Sequence, residues 1–375
     1  MRFTILPAAD AITQLQSGYF DTIIDARSES EYALDHLPNA ENWPTLNDAE
    51  RHHIGTMYVQ IGAFEAKKHG AAIAARNIAR HIEQHVLDQS KHWKPLIYCW
   101  RGGKRSGSLA LILSQIGFRV AQLEGGYKAF RAAMLEDMPR RIEKLQFVVV
   151  CGTTGSGKTR LLHALAQQGE QVLDLEALAC HRSSVLGAIP GTPQPSQKHF
   201  DMQIWNALRQ FDPSRPVYIE SESKKVGNVS LSTELIEKMR SSPCLNLELN
   251  TTERIALLME DYDFFVRDTA HFCRRLDTLA ELRGKAVVQG WKDCVAAGNI
   301  ETVVHELLTQ HYDPVYLQAM RRNFRHYGQA ITIRPANRSR EAMQELATHW
   351  ATTLPLSLCH GATGVAAPLA PTASE

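Results

Sequence analysis

The stretch VVVCGTTGSGKTR, residues 148–160, constrains the fold most. An apolar, β-branched run ends at Cys151, and Gly152, Gly157, Lys158 and Thr159 then satisfy G-x-x-x-x-G-K-[ST]. The apolar-periodic TRLLHALAQQG follows at once. Such a loop works only between a strand and a helix. Gly152, Gly155 and Gly157 free the backbone to curl, so that N–H groups, including those of Thr153, Thr154 and Ser156, face phosphate oxygens. Lys158 neutralises charge and the Thr159 hydroxyl can ligate Mg²⁺. The strand-like segments FVVV, QVLDL, PVYIE and CLNLEL extend the pattern, which therefore predicts an α/β unit around a parallel sheet.

Two further stretches are expected to line this P-loop. VLDLEALACHRSSVLG puts Asp174 and Glu176 at a strand end, with His181 and Arg182 behind them. VYIESESKKVG does the same with Glu220 and Glu222. Carboxylates at the carboxyl ends of parallel strands point toward the ligand crevice, where one can hold Mg²⁺. The competing reading is solvated strand-end charge. The chemistry of the cradle is recognition of a diphosphate with a metal, which fits a nucleoside triphosphate or any other diphosphate ester.

A second loop stands earlier in the chain. In PLIYCWRGGKRSGSLALIL an apolar run ends at Cys99, and a helical pattern starts near Ser106. Gly102 and Gly103 let the intervening N–H groups curl into an anion nest at a helix N-terminus, and Arg101, Lys104 and Arg105 add positive charge. These features favour thiolate, the nucleophilic form of the sulfur. A buried strand-end cysteine is the plainer alternative.

The 375 residues are 44% hydrophobic and 22% charged, which suits two domain cores. Segments TIIDA and PLIYC alternate with AAIAARNIARHIEQHVL and SGSLALILSQIG, predicting a small α/β domain over 1–133. The charged RAAMLEDMPRRIEKL places a linker at 134–145. A P-loop NTPase-like α/β domain with a helical C-terminal part is expected over 146–355, and a disordered Ala/Pro/Thr-rich tail over 356–375. Seven scattered cysteines without a CxxC pair, no signal-peptide core and no apolar run of about 18 residues predict a cytoplasmic protein away from membranes. The net charge of +1 excludes whole-molecule steering of nucleic acid, so a basic site must be local. RRNFRHYGQAITIRPANRSR offers one: Arg321, Arg322, Arg325 and Arg334 are tRNA-binding candidates, with Phe324 and Tyr327 placed to stack on bases. A solvated basic face is the alternative.

IIDARSESEYALDHLPNAENWP, with Asp25, Arg27, Glu31 and His36, resembles the opening motif of rhodanese domains, and LEGGYKAFR their closing motif. Five residues separate Cys99 from Arg105, where many sulfurtransferase rhodaneses have four. The longer loop also occurs in phosphatases on this fold, and loop length does not choose between them. A rhodanese-like domain joined to a P-loop domain, together with DLEALACHRSSVLG, QPSQKHFD and IESESKKVG, resembles the bacterial tRNA 2-selenouridine synthases. Ser183 stands where that family's pattern leads one to expect glycine. The resemblance implies a transferase acting on the wobble 2-thiouridine of tRNA. It implies S-geranylation from geranyl diphosphate, then selenation from selenophosphate through a selanylated Cys99, with Arg101 and Arg105 beside it. A selenophosphate-supplying enzyme is the implied partner, and a monomer the default state. A rhodanese-fold phosphatase fused to a P-loop kinase, and a non-catalytic tRNA-binding carrier, remain the rival readings.

Overall fold

The computed structural model describes residues 3–184 and 186–353; the expected tail lies outside them. The chain forms two compact units. One comprises the residues up to 144 with 175–211 and 222–236, the other 145–174, 212–221 and the chain from 237 on.

The first unit holds a sheet of β1 (Thr4–Leu6), β2 (Thr22–Asp25), β3 (Ala40–Asn42), β4 (Pro95–Tyr98) and β5 (Ala121–Leu123). Its order is β1-β5-β4-β2-β3 and every pairing is parallel. The central strand β4 is buried along its whole length, as a continuous apolar run in a covered parallel sheet must be. The Lys104–Ile116 helix lays Leu109, Ala110 and Leu113 against Ile24 and Ile97. Each of these leucines and isoleucines contributes about 1.5–3 kcal/mol when fully buried.

The stretch read as a linker continues the Gly126–Lys144 helix. Tyr127, Phe130, Met134, Met138 and Ile142 recur at helical spacing and are buried, while the charged residues occupy the remaining positions. That apolar stripe outweighs the cost of Pro139 inside the helix. The Gln197–Leu208 helix belongs to the same unit. Its Trp205 is fully buried, meets the Phe130 ring edge-on at 5.6 Å and donates from Nε1 to Asp137 at 2.8 Å.

The second unit is built on β6 (Gln146–Cys151), β7 (Gln171–Leu173), β8 (Pro216–Glu220), β11 (Cys244–Leu247) and β12 (Ile331–Ile333), ordered β12-β11-β6-β8-β7. All pairings are again parallel. Between β8 and β11 the chain makes a short hairpin, β9 (Lys225–Val226) with β10 (Val229–Ser230), which groups with the first unit. Val148 and Val150 of β6 pack with Leu161, Leu162 and Leu165 of the Lys158–Gln167 helix and with Met343, Ala347 and Trp350 of the Arg340–Thr353 helix. Beyond 251 the described chain is helical except for β12.

Candidate functional site

Cys99 follows directly on β4, so the central strand aims the loop out of the sheet's carboxyl edge. Its side chain is buried, and its sulfur accepts the Gly103 N–H at 3.3 Å and the Ser106 hydroxyl at 3.1 Å. Gln122 Nε2 donates to Ser106 Oγ and to the Gly102 carbonyl, each at 2.8 Å, tying both ends of the loop together. The backbone packs too tightly for side chains. A Cβ on Gly126, at φ +59, would stand 2.2 Å from the Cys99 carbonyl oxygen, and one on Gly102, at φ +63, 2.6 Å from that of Leu123. Of the loop's backbone donors, the Gly103 N–H is the one seen on the sulfur.

Its cations divide. Arg105 donates two bonds to Glu31, at 2.6 and 3.3 Å. Burial acts to raise the Glu31 carboxyl, but the Arg105 guanidinium and the Ser28 bonds hold it below its ordinary value. Arg105 therefore arrives already paired. Arg101 and Lys104 are exposed, and among the described residues neither is ion-paired, so they are the cations open to an incoming anion. Behind the loop, buried Arg27 pairs with Asp25 at 2.6 Å, lies 4.2 Å from the Tyr127 ring centroid and donates to the Asp35 carbonyl. Tyr127 donates its hydroxyl to the Asp35 carboxylate and its N–H to the Cys99 carbonyl. His199 also contacts Asp35, at 3.3 Å, and Lys198 lies 5.8 Å from the Trp100 ring centroid. The helix bearing both thus reaches the frame of the loop. His36 bonds the Tyr32 carbonyl, and burial lowers the tendency of its ring to protonate.

The second loop runs from the end of β6 into the Lys158–Gln167 helix. Gly152, Gly155 and Gly157 take φ of +153, +77 and +90. A Cβ on Gly152 would stand 2.4 Å from Ser156 Oγ, and one on Gly157 2.5 Å from Met343 Cε. Lys158 Nζ donates to the Gly152 carbonyl at 2.7 Å, and the Gly152 N–H donates to the Tyr316 hydroxyl at 2.8 Å. The Thr153 carbonyl accepts the Ser156 N–H. The Thr154 carbonyl accepts two bonds from Arg254, at 2.9 and 2.7 Å, and Arg254 is itself paired with Asp313 at 2.6 Å. Ser156 Oγ is buried and has no hydrogen-bond partner among the described residues. An unsatisfied hydroxyl in a glycine-lined cradle fits an oxygen-rich ligand.

The supporting candidates divide between the two units. Glu220 ends β8, the neighbour of β6, in register with Val150, and is buried beside the loop. Asp174 follows β7, two strands from β6, and faces His163 at 3.1 Å. Glu176, His181, Arg182 and Glu222 group with the first unit. His181 and Glu222 are buried, and the Arg182 N–H donates to the Gly187 carbonyl. Ser183 takes φ +33, a conformation that favours glycine, which agrees with the glycine expected at this position and leaves the serine backbone strained.

The basic stretch is partly neutralised. Arg334 pairs with Glu248 at 2.5 Å, and Phe324 is buried, which withdraws its ring from stacking on bases. Arg321, Arg322 and Arg325 are exposed and, among the described residues, without a carboxylate partner. No group of three or more His, Cys, Asp or Glu side chains that could hold a metal occurs among the described residues. An Mg²⁺ site here would instead draw on Thr159, Glu220 and ligand phosphates, the hard-oxygen mixture this ion accepts. No described helix is long and apolar enough to cross a membrane.

Family models match both regions: a rhodanese-like domain over residues 8–133 and a tRNA 2-selenouridine synthase AAA domain over 145–282. A tRNA 2-selenouridine synthase of Marinobacter nauticus is 32% identical over 324 residues, covering 78% of this chain and 87% of that protein. The chain belongs to the tRNA 2-selenouridine synthase family. A Sulfurovum synthase of the same name agrees, 30% identical over 338 residues and covering 80% of this chain and 89% of that one. Membership makes the chain an enzyme, a transferase, with the α/β architecture expected for both regions. Ser106, Gln122, Arg254, Ser221 and Tyr316 escaped the sequence reading. Ser106 stood inside the quoted loop, but Tyr316 lies 164 residues from the Gly152 N–H it accepts, and nothing local marks it.

Proposed function

We propose that this protein converts wobble 2-thiouridine in tRNA to 2-selenouridine in two steps at two loops. In the first, the thiocarbonyl sulfur attacks C1 of geranyl diphosphate; a C–S bond forms, the C–O bond breaks and pyrophosphate leaves. The Gly152–Thr159 loop, with Lys158, would hold that leaving group through its N–H groups other than those of Gly152 and Ser156, which are bonded to Tyr316 and Thr153, and so stabilise its growing charge. Mg²⁺ held near Thr159 and Glu220 would supply further neutralisation. In the second, a C2–Se bond forms, the C2–S bond breaks and geranylthiol departs. Cys99 would attack the phosphorus of selenophosphate, so that an S–P bond forms, the P–Se bond breaks and the released selenide makes the C2–Se bond; water then cleaves the S–P bond, and Arg101 and the loop amides hold the phosphate that leaves. S-alkylation makes the sulfur a better leaving group, which explains why a diphosphate cradle and a loop whose thiol opens a phosphate-bound donor share one chain.

The observation that carries this reading is the pair of glycine-rich strand-to-helix loops, one folded onto the Cys99 sulfur and one onto Lys158, in a chain of this family. Two single variants test it. Lys158→Ala should weaken geranyl diphosphate binding and slow alkylation by about 10²-fold or more. Cys99→Ser should abolish selenation and leave geranylation intact. Unchanged alkylation in the first, or loss of both steps in a folded second, contradicts the assignment.

A further inference from the structure

The P-loop lysine does not reach into open space. Lys158 Nζ is bonded to the Gly152 carbonyl at 2.7 Å and lies 5.5 Å from the centroid of the Tyr316 ring. The hydroxyl of the same tyrosine accepts the Gly152 N–H at 2.8 Å and is 2.8 Å from Ser221 Oγ. Tyr316 thus touches both partners of one contact: its hydroxyl holds the N–H of Gly152, the residue whose carbonyl binds the ammonium, and its ring faces the ammonium itself. The Asp313–Asn323 helix that carries it is anchored one turn earlier, where Asp313 pairs with Arg254 and Arg254 binds the Thr154 carbonyl. Ser221 follows β8, and its N–H donates to the Val150 carbonyl of β6, so the hydroxyl's other partner is fixed to the sheet. A tyrosine fixed through its hydroxyl and facing the lysine with its ring sets where that lysine rests, and so limits the rotamer freedom that phosphate binding must remove.

We infer that Tyr316 is a positioning residue for the phosphate loop: it parks Lys158 on the Gly152 carbonyl and its own ring, and so sets the affinity of the loop for a diphosphate. The inference rests on the loop holding a diphosphate, as proposed above. It does not depend on which ester brings it. Removing the hydroxyl should free Gly152 and spread Lys158 over other rotamers; removing the ring as well should also remove the cation–π contact.

The test is calorimetric titration of the full chain with inorganic pyrophosphate, and in parallel with geranyl diphosphate. Tyr316→Phe should weaken pyrophosphate binding about fivefold, and Tyr316→Leu about thirtyfold. Because the effect runs through Lys158, both penalties should shrink below about twofold in a Lys158→Ala background. A merely structural tyrosine would impose the same penalty in either background. Tyr316→Phe alone decides the matter if the leucine variant does not fold. Wild-type affinity in Tyr316→Phe, or an undiminished penalty beside Lys158→Ala, overturns the inference. If the wild type binds pyrophosphate but not geranyl diphosphate, the proposed donor fails and the role of Tyr316 stands. If it binds neither, both fall.

Discussion

Arg105 shows how one residue can be identified from sequence and still be placed differently by structure. Its position in the Cys99 loop marked it as an anion ligand, yet Glu31 holds it by two bonds. Glu31 also accepts from the Ser28 hydroxyl and N–H, so the loop arginine is locked to the start of the Glu29–Leu34 helix. This lock has a pH signature. The Glu31 carboxyl is held below its ordinary value of 4.5, so the pair's contribution to stability is full above that value and is lost as pH falls through the folded-state value. Glu31→Gln should cost about 1–2 kcal/mol in urea unfolding at neutral pH, and the deficit should narrow as the pH is taken well below 4.5. An equal deficit at both ends of that range contradicts the lock. At Cys99 the sequence reading was fuller. The glycines, the following helix and the thiol were all visible, because a nest is built from consecutive residues.

At the scale of elements, what was legible was what sits in one contiguous pattern. β4 and β6 read as apolar runs, and the helices after each loop read by their spacing. Two elements hid behind charge. The Gly126–Lys144 helix carries its apolar stripe among acids and bases that looked like a linker, and β12 buries only Ile333 of its three residues. The Gln197–Leu208 helix hid for another reason. It follows the P-loop strands in sequence, but its packing partners, Phe130 and Asp137, come from the earlier helix. Trp205 is the test of that packing. Trp205→Ala should cost about 3–5 kcal/mol by denaturant unfolding, and Trp205→Phe about 1–3 kcal/mol, since it keeps most of the ring volume and orphans Asp137. A loss under about 1 kcal/mol for the alanine variant would contradict it.

For the whole molecule, the residues that assemble the second site come from distant parts of the chain. Gly152, Ser221, Arg254 and Tyr316 meet around one loop although the sequence separates them by up to 164 positions. Only the glycines and Lys158 advertise themselves, since backbone geometry demands those residue types, whereas a tyrosine hydroxyl or an arginine fork can be brought in from anywhere by the sheet. The same holds for the basic surface. Six arginines in one stretch read as a single face, but Arg334 and Arg338 pair with carboxylates, and among the described residues Arg321, Arg322, Arg325 and Arg340 are left without such a partner. The central claim is that one chain alkylates and then selenates a single base, using a diphosphate cradle and a thiol-bearing anion loop. Nucleoside mass spectrometry of thiolated tRNA incubated with the purified protein tests it most directly. The account predicts S-geranyl-2-thiouridine with geranyl diphosphate alone and 2-selenouridine once selenophosphate is added; 2-thiouridine persisting unchanged with both donors present would contradict it.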